Sequence, residues 1–516
     1  VAGAHNVGGV AGFLTGDSTV SIGVNNGGDI TATGARTDDD FARETVRGVS
    51  SDGNENFIIG NIGGVVGYLF GDKARIKNSG NRGTVHSAEI GKNVAVVPDT
   101  AKAANVGGVV GKISSETNGT LNMLQEIKDG KRTATVSNSY NTGDVRGYTG
   151  VGGVIGQMFN GSISGSYNLG TLEATRTVDA NSMQKESLNM GGIVGDTSEE
   201  SMARAIIYDV YNAGQIGDEN FYFRGRHVGG IAGRLSGFVD KAYNTGDIYN
   251  GYSTVGGIAG WWFAGEISNV FNTGNITVKN FDAENKRSQV GGIVGDAGAD
   301  AGSLFYAYNL GTIRSFAQYL YDPKTGENAY SHHVGGIAGR ITNNLKIDNV
   351  YTLGNLYAAS IDPESDKYES TTDTLGAIYG SGGDTGKITN ANYITPENPD
   401  NATQPEFEDL SEQARLQDIN VVKYEDKSNA DKYELKDAND KTLVNNLDKT
   451  KNWSVNPGAW RLYEDGTPIL NAFTPNMAGT NAWKKQLEGT GATVQYGTAY
   501  NPMLTILNLD KDVTFN

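Results

Sequence analysis

Apolar and polar positions follow one pattern that recurs from the first residues to about residue 394. Each copy opens with V-G-G-[IV]-[AVI]-G or a close variant, in which aliphatic residues enclose a glycine pair. Each copy continues with [YF]-N-x-G-x-[IVL] or a variant of it, as in Tyr243-Asn244-Thr245-Gly246-Asp247-Ile248. The glycine pairs begin at residues 8, 63, 107, 152, 191, 229, 256, 291 and 335, and a degenerate tenth copy lies at 375–380. Recurrence of this kind indicates a repeat architecture.

The repeat unit favours strands over helices. Its phrases alternate β-branched or aromatic residues with polar ones, and each ends in an Asn-x-Gly turn. A glycine inside a helix costs about 1 kcal/mol relative to alanine, and every copy carries a pair. The shortest unit, from Gly229 to Gly256, is 27 residues, which is too small to bury a face without stacking on its neighbours. We therefore predict an all-β fold, a parallel β-helix of about ten coils and roughly 48 Å in length.

Stacking places equivalent residues of successive coils above one another. The Tyr and Asn of the second phrase should then form an aromatic column and an amide column. The columns should break at Tyr351-Thr352-Leu353-Gly354, where Thr352 replaces the Asn. The glycine pairs allow close approach of neighbouring backbone. We expect Gly257→Val to be far more damaging than Asn280→Val, because we expect Asn280 to lie on the adjacent variable segment.

One half of the unit is nearly constant in length, apart from an insertion at 112–137, and the other half varies widely. The variable segments all leave the coil between the same two strands, so they should emerge along one edge of the rod. They are rich in charged residues, Ser and Asn. Loops presented on a rigid scaffold are where binding residues concentrate.

The composition changes after Ile394, and this divides the chain into three parts. Residues 1–395 form the repeat region. Residues 396–475 are predicted to contain a short amphipathic helix at 407–419 and a Trp-rich cap over the last coil. Residues 476–516 comprise a linker and alternating strands at 492–516, which look like the start of another β domain.

Composition and charge narrow the classes of function. The 516-residue chain is too long for one compact core, and its net charge of −17 disfavours nucleic acid and anionic lipid as partners. It has no cysteine, which excludes disulfides, thiol nucleophiles and Cys-ligated metals. No apolar run approaches the ~18 residues of a membrane span, so we expect no membrane insertion by this region. The 72 glycines show no collagen period.

Catalytic and metal-binding motifs are not apparent in the sequence. The five histidines form no H-E-x-x-H, and the adjacent pair His332 and His333 is interpreted as structural. Asp38, Asp39 and Asp40 read as a solvated charge run, with calcium binding left open. We therefore expect a chain that is not an enzyme and holds neither metal nor cofactor.

Aromatic residues outside the repeat core are the candidate partner-binding residues. Trp261 occupies the position of Arg234 and Arg340 in other copies, which predicts exposure, whereas the neighbouring Trp262 occupies an apolar position and should be core. The other candidates lie on variable segments, where covering the flank of the coil is the alternative role. The full candidate set is Phe221, Tyr222, Phe223, Trp261, Tyr319, Tyr321 and Tyr330.

The V-G-G-[IV]-[AVI]-G and Y-N-x-G-x-I phrases resemble the GLUG repeats of bacterial surface proteins. Such repeats occur in filamentous haemagglutinin-like adhesins and in non-catalytic regions of zinc-dependent IgA1 peptidases, whose H-E-x-x-H motif this chain lacks. Trp460-Arg461-Leu462-Tyr463, followed by Gly466, Pro468 and Leu470, is similar to the closure that follows these repeats. The resemblance implies a right-handed β-helix, two-partner export and a location on the bacterial cell surface or in the medium.

The principal hypothesis is therefore the stalk and display region of an exported bacterial adhesin. Its partner would be a receptor on a host cell, a glycan or another bacterium. The alternative is a self-assembling extracellular filament or spacer without a receptor. A third hypothesis, a polysaccharide-active β-helix enzyme, depends on the abundance of carboxylates and tyrosines.

Overall fold

A computed structural model gives the fold, and the described residues cover most of the repeat region and parts of the C-terminal region. The described residues are 2–3, 6–20, 25–26, 28, 30–32, 47–49, 55–57, 60–87, 105–147, 149–174, 188–197, 204–219, 223, 225–280, 287–318, 321–322, 327–328, 331–342, 345–352, 354, 356–361, 368–370, 375–376, 378–382, 388–395, 420–426, 433–437, 459–462, 468–473, 493–498 and 501–508. The helix predicted at 407–419 lies outside them. The repeat region is a parallel β-solenoid, which confirms the predicted fold class.

Ten strands that end at the glycine pairs form the first sheet, called sheet I, with one strand for each predicted coil. Its neighbours are parallel and in register, so that Val228 pairs with Val255 and Val255 with Val290. These aliphatic side chains are fully buried in one continuous core. The strands are Asn6–Gly8, Asn61–Gly63, Asn105–Gly107, Gly150–Gly152, Leu188–Gly191, Gly225–Gly229, Thr254–Gly256, Arg287–Gly291, Ser331–Gly335 and Leu375–Gly376.

The chain turns at each glycine pair into sheet II, which has 22 strands. In the middle of the rod one long strand per coil crosses the whole sheet, and elsewhere this path is divided into shorter strands. The strands are Ala11–Thr15, Thr19–Val20, Asn25–Asn26, Val66–Phe70, Arg75–Lys77, Gly80–Asn81, Val110–Ser114, Val136–Ser137, Tyr140–Asn141, Ile155–Phe159, Ser162–Asn168, Val194–Asp196, Ala205–Asn212, Ala232–Asn244, Ala259–Asn272, Val294–Asn309, Ala338–Ile341, Lys346–Thr352, Tyr379–Gly382, Ile388–Thr395, Asn420–Asp426 and Tyr433–Asp437. The last two add a hairpin beyond the final coil, parallel to Ile388–Thr395 at its first strand.

Sheet III closes each coil after the Asn-x-Gly turn. Its two groups of five strands are joined through bridges that Ile216 makes with Leu172 and Ile248. The strands are Ala2–Gly3, Ile30–Ala32, Val85–His86, Val145–Gly147, Leu172–Ala174, Ile248–Asn250, Ile276–Asn280, Ile313–Gln318, Leu356–Ile361 and Tyr368–Ser370. The last of these closes no coil, because it returns antiparallel to Leu356–Ile361. The variable segments run from sheet III to the next strand of sheet I, so they leave the rod at the corner between these two sheets.

Both predicted columns are present along sheet II. Asn141 Nδ2 donates to Asn168 Oδ1 at 2.8 Å, and the same bond repeats along the column. The column of buried amides runs through Asn81, Asn141, Asn168, Asn212, Asn244, Asn272 and Asn309. It ends at Thr352 Oγ1, which is 3.4 Å from Asn309 Nδ2, at the predicted break.

The aromatic column lies beside the amide column. Neighbouring rings are parallel, with centroids 4.7–5.4 Å apart and planes within 10° of each other. Its members are Tyr140, Tyr167, Tyr211, Tyr243, Phe271, Tyr308 and Tyr351. The ring of Tyr140 lies against Gly80, which has no side chain at the equivalent position. The column therefore begins at the third coil and extends to the ninth.

The insertion in the third copy contains one α-helix, α1 (Leu121–Lys128), between two strands of sheet II rather than at the loop corner. Thr120 caps it by accepting a hydrogen bond from the Met123 backbone N–H. Leu124 and Ile127 bury their side chains against a cluster that includes Ile206 and Phe238 on the outer flank of the rod. The insertion thus covers apolar side chains that later coils direct outward.

Among the described residues, four further antiparallel strand pairs lie outside the three sheets. They comprise Arg47–Val49 with Glu55–Phe57, Tyr321–Asp322 with Glu327–Asn328, Trp460–Leu462 with Pro468–Leu470, and Thr493–Thr498 with Asn501–Asn508. The last pair supplies the strands predicted in the C-terminal tail. The 3₁₀ helix Asn471–Phe473 follows the third pair, and Trp460–Phe473 as a whole is called the closure.

The closure packs on the flank of the rod. Trp460 contacts Tyr308 and Tyr351, whereas Phe473 contacts Tyr243 and Phe271. The sequence predicted a Trp-rich cap over the last coil, but these contacts lie along the aromatic column of coils six to nine. The closure packs there because the aromatic column offers a continuous apolar surface. The position beyond the last coil is taken by the strands Asn420–Asp426 and Tyr433–Asp437, which extend sheet II.

Candidate binding surface

Two rows of side chains flank the turn at the glycine pairs and form what we call the outer seam. One row lies in sheet I, two residues before each glycine pair, and the other lies in sheet II, just after the third glycine of the phrase. The sheet I row is Asn6, Asn61, Asn105, Gly150, Asn189, His227, Thr254, Gln289 and His333. The sheet II row is Phe13, Tyr68, Lys112, Gln157, Asp196, Arg234, Trp261, Asp296 and Arg340.

Polar and aromatic contacts join the two rows. Asn189 Nδ2 donates to Asp196 Oδ2 at 2.8 Å within one coil, and Asn105 Nδ2 donates to Gln157 Oε1 at 3.3 Å between coils. Asn61 Nδ2 also donates to Asn6 Oδ1 at 2.8 Å along the sheet I row. Most side chains of the sheet I row are buried, so this row supports the sheet II row beside it, and the positions of both rows follow from the register of the coils.

Trp261 lies near the middle of the seam and is half-buried. Its ring stacks on His227 with centroids 5.0 Å apart and meets Phe263 edge-on at 5.5 Å. The guanidinium of Arg234 lies 5.8 Å from the Trp261 ring centroid, within cation–π range. The adjacent Trp262 is fully buried in the core and donates from Nε1 to the Ala264 carbonyl at 3.1 Å, as its apolar position predicted.

Ion pairs stand on both sides of Trp261. Arg234 Nε lies 3.2 Å from Asp196 Oδ1, and Arg340 donates two bonds of 2.7 Å to the carboxylate of Asp296. The hydrogen bond to Asp296 raises the pKa of Arg340. A planar ring between two planar charged pairs gives this part of the seam both an apolar face and fixed hydrogen-bonding groups, which is the composition of many recognition sites.

His227 supports the Trp261 ring as a neutral imidazole. Burial lowers its pKa to about 3, and the nearby Arg226 and Arg234 add to the effect. Its Nδ1 is buried and forms no hydrogen bond among the described residues. The residue therefore carries no positive charge at neutral pH and contributes a flat ring to the stack.

The seam has a second aromatic group at its N-terminal end. Phe13 is 50% exposed and Phe70 is 37% exposed, and both contact Tyr68, at centroid distances of 5.3 and 6.2 Å. The ammonium of Lys112 lies 5.9 Å from the Tyr68 ring. These residues were not among the sequence candidates. Phe13 and Tyr68 share the register of Trp261, so the rule that identified Trp261 as exposed also applies to them.

The other sequence candidates do not assemble with Trp261 in the described part of the chain. Phe223 is 4% exposed and fills the space beside Gly217 and Gly225, so its side chain is not available to a partner. For Phe223 this supports the alternative role, which is to cover the flank of the coil. Tyr321 lies in a two-residue strand whose side chains are not described. Phe221, Tyr222, Tyr319 and Tyr330 lie outside the described residues.

Among the residues that the structure describes, no three His, Asp or Glu side chains come together in a metal-binding arrangement. None of the described helices has the length and apolar character required to cross a bilayer.

Comparison with known proteins shows a distant similarity over part of the chain. The chain is 29% identical over 208 residues to Halomucin of Haloquadratum walsbyi (strain DSM 16790 / HBSQ001). The match covers 39% of this chain but 2% of Halomucin, so the chain spans a small fraction of a much longer relative. No family model matches the chain, and no solved structure matches it.

Proposed function

We propose that the chain is the non-catalytic rod and display region of an exported adhesin on a bacterial surface, of the filamentous haemagglutinin-like type that carries GLUG repeats. The observation that carries this proposal is the common corner from which the variable segments leave the rod, between sheets III and I. Loops that differ in length but share one corner can vary without disturbing the coils. The outer seam borders the same strands of sheet I.

An extracellular location is supported by the distant similarity to Halomucin, whose name is that of a mucin-type protein. The match covers 39% of this chain.

The aromatic groups of the seam are the proposed contact points. Phe13 and Phe70 are exposed large apolar side chains, and Trp261 offers a half-buried ring between ion pairs. Exposed aromatic side chains beside polar groups are typical of binding surfaces on otherwise polar proteins. A receptor on a host cell or bacterium, protein or glycan, would meet apolar faces and fixed charges together.

Attachment of fluorescent particles coated with the purified chain to cells and glycan arrays tests the proposal. We expect the double variant Phe13→Ser, Phe70→Ser and the single variant Trp261→Ala to reduce attachment, with circular dichroism confirming the fold. Leu121→Ser is the matched control, since Leu121 is 51% exposed but lies on α1 outside the seam. In a further variant, the three-residue connection 251–253 replaces each of the segments 175–187 and 281–286. This variant measures how much the variable segments contribute to attachment.

A spacer without a receptor is the second candidate, and the continuous amide and aromatic columns favour it because they stiffen the rod. The same assay separates the two. Attachment that is unchanged in all seam and loop variants, together with ordered fibres in negative-stain images, would replace the adhesin proposal with the spacer.

A further inference from the structure

Within the part of the chain that the structure describes, the aromatic column is covered over only part of its length. Tyr243 is 7% exposed, and Phe271, Tyr308 and Tyr351 are fully buried beneath the closure. The three rings of coils three to five, Tyr140, Tyr167 and Tyr211, are half-buried. The closure forms one apolar cluster, called the closure cluster, with the four covered rings. Tyr211 packs against the edge of this cluster, so the uncovered rings continue an existing interface.

The uncovered rings have the same geometry as the covered ones. Tyr167 and Tyr211 are 5.0 Å apart with planes at 8°, and the covered pair Tyr308 and Tyr351 are 5.0 Å apart at 2°. Rings stacked along the rod present their edges outward. Phe473 shows what fits these edges, because its plane lies at 90° to Tyr243 and 87° to Phe271. Edge-to-face packing is a favoured arrangement of aromatic rings.

An aliphatic residue accompanies the column in both parts. Leu310 follows Tyr308 by two residues, belongs to the closure cluster and is 8% exposed. Leu169 follows Tyr167 by the same interval and is 47% exposed. The uncovered part of the column therefore has the same Tyr-x-Leu surface as the part on which the closure packs.

We propose that Tyr140, Tyr167, Leu169 and Tyr211, called the open strip, form a docking site for a β-hairpin of a partner protein. The hairpin carries a flat indole or phenyl ring and branched aliphatic side chains, the chemistry of the closure. Continuity with the closure interface identifies this occupant, since the same surface in coils six to nine holds Trp460, Ile469 and Phe473. Its ring lies face-on to the tyrosine edges, and its aliphatic residues cover Leu169.

A protein hairpin is favoured over a polysaccharide by the direction of the rings. Sugars that bind aromatic side chains stack on ring faces, whereas within the column the ring faces are covered by neighbouring rings or, on one side of Tyr140, by Gly80. Tyrosine edges with an exposed leucine beside them offer apolar contact area suited to another aromatic side chain.

The test uses the full chain and a fluorescein-labelled cyclic peptide of residues 458–474 as the probe, measured by fluorescence anisotropy. Cyclisation favours the hairpin and lowers the entropic cost of binding. We expect saturable binding that Leu169→Ser weakens by about tenfold or more. Leu121→Ser is the control for an exposed leucine elsewhere, and a peptide with Ser in place of Trp460 and Phe473 should not bind.

Three results would overturn the proposal. The first is absence of peptide binding to the folded chain. The second is binding that is lost in Leu310→Ser but retained in Leu169→Ser, since the peptide would then have displaced the closure. The third is a polysaccharide that binds the parent chain but not the Leu169→Ser variant, while the peptide binds neither. This result would assign the strip to a glycan. Attachment through the outer seam can fail without affecting any of these results.

Discussion

Gly257 lies directly against Asn272, because a Cβ atom added to Gly257 would stand 2.5 Å from the Cγ of that asparagine. The same atom would also overlap the carbonyl oxygen of Gly292 in the next coil. Equivalent contacts join Gly64 to Asn81, Gly108 to Asn141, Gly153 to Asn168, Gly192 to Asn212, Gly230 to Asn244 and Gly292 to Asn309. The two phrases of the repeat occur together because the second glycine of the first phrase leaves room for the asparagine of the second.

Replacement of Gly257 should therefore disrupt two coils at once. We expect Gly257→Val to lower the free energy of unfolding by about 3 kcal/mol, since the added atoms meet backbone and a buried amide that cannot move. Urea denaturation followed by circular dichroism measures the loss. Thr273→Leu is the control on the same coil, because leucine occupies the equivalent positions 169 and 310. Equal stability of the two variants would show that Gly257 is not closely packed.

Asn280 is unsuitable as the tolerant comparison that the sequence suggested. It was expected on a variable segment, but it ends the strand Ile276–Asn280 and is fully buried. Its Nδ2 lies 3.3 Å from both the Arg287 carbonyl and Ser288 Oγ. The strand extends beyond the closing aliphatic residue of its unit because these partners lie across the loop corner.

The amide column supplies a second prediction. Asn272 donates from Nδ2 to Asn309 Oδ1 and to the Gly274 carbonyl, each at 2.8 Å, and accepts from Asn244 at 2.8 Å. We expect Asn272→Ala to cost about 3 kcal/mol, because buried partners lose their hydrogen bonds. Asn275→Ala is the control, since Asn275 is exposed and its bonds to Asp247 lie at the surface. Similar unfolding midpoints would mean that the column adds no stability.

The sequence predicted the features that repeat and missed those that occur once. The Gly–Asn contact recurs in coils two to eight and the aromatic stack in coils three to nine, so the imperfect copies specify the three-sheet coil and the columns. Phe223 and the closure have no second copy. The burial of Phe223 depends on a space beside Gly217 and Gly225, and no local pattern reports such a space.

The position of the closure was equally inaccessible from the sequence. Trp460 reads as a cap residue because solenoid ends require covering. Its contact with Tyr308 and Tyr351 depends on the direction in which the intervening segment returns along the rod. The stack of the half-buried Trp261 on His227 was not predicted from the sequence either, because the two residues belong to different coils.

A bend in sheet II requires a left-handed backbone residue in each of several coils. Residues two positions before the aromatic column have φ near +50°, including Asn138 at 48°, Asp209 at 53° and Lys241 at 57°. Asn138 is exposed, so changes there test the backbone alone. We expect Asn138→Val to cost about 1–2 kcal/mol, because β-branched residues resist this conformation, and Asn138→Gly to change stability by less than about 0.5 kcal/mol. Thermal unfolding of both variants measures the difference.

The tyrosines of the column make stability dependent on alkaline pH. Burial raises the pKa of Tyr211 to about 12 and raises the pKa of Tyr243 further. The unfolded chain releases these protons near pH 10, so the stabilisation is complete below pH 10 and is lost as the pH rises towards 12. We expect the unfolding midpoint to fall over this range. The double variant Tyr211→Phe, Tyr243→Phe should show a shallower decline than the parent chain, and identical slopes would contradict the assignment.

The closure should stabilise only the coils that it touches. Phe473 is 1% exposed and contacts Tyr243 and Phe271, so Phe473→Ala removes apolar contact worth about 3–5 kcal/mol at that site. In a solenoid each coil contacts its neighbours alone, so the loss should remain local. We expect faster amide hydrogen exchange in 459–473 and around Tyr243, with unchanged exchange in 61–70 and 105–114 of the second and third coils. Phe473→Leu should retain most of the protection, because it preserves apolar volume. Uniformly faster exchange along the whole rod in Phe473→Ala would instead show that the closure and the coils unfold as one cooperative unit.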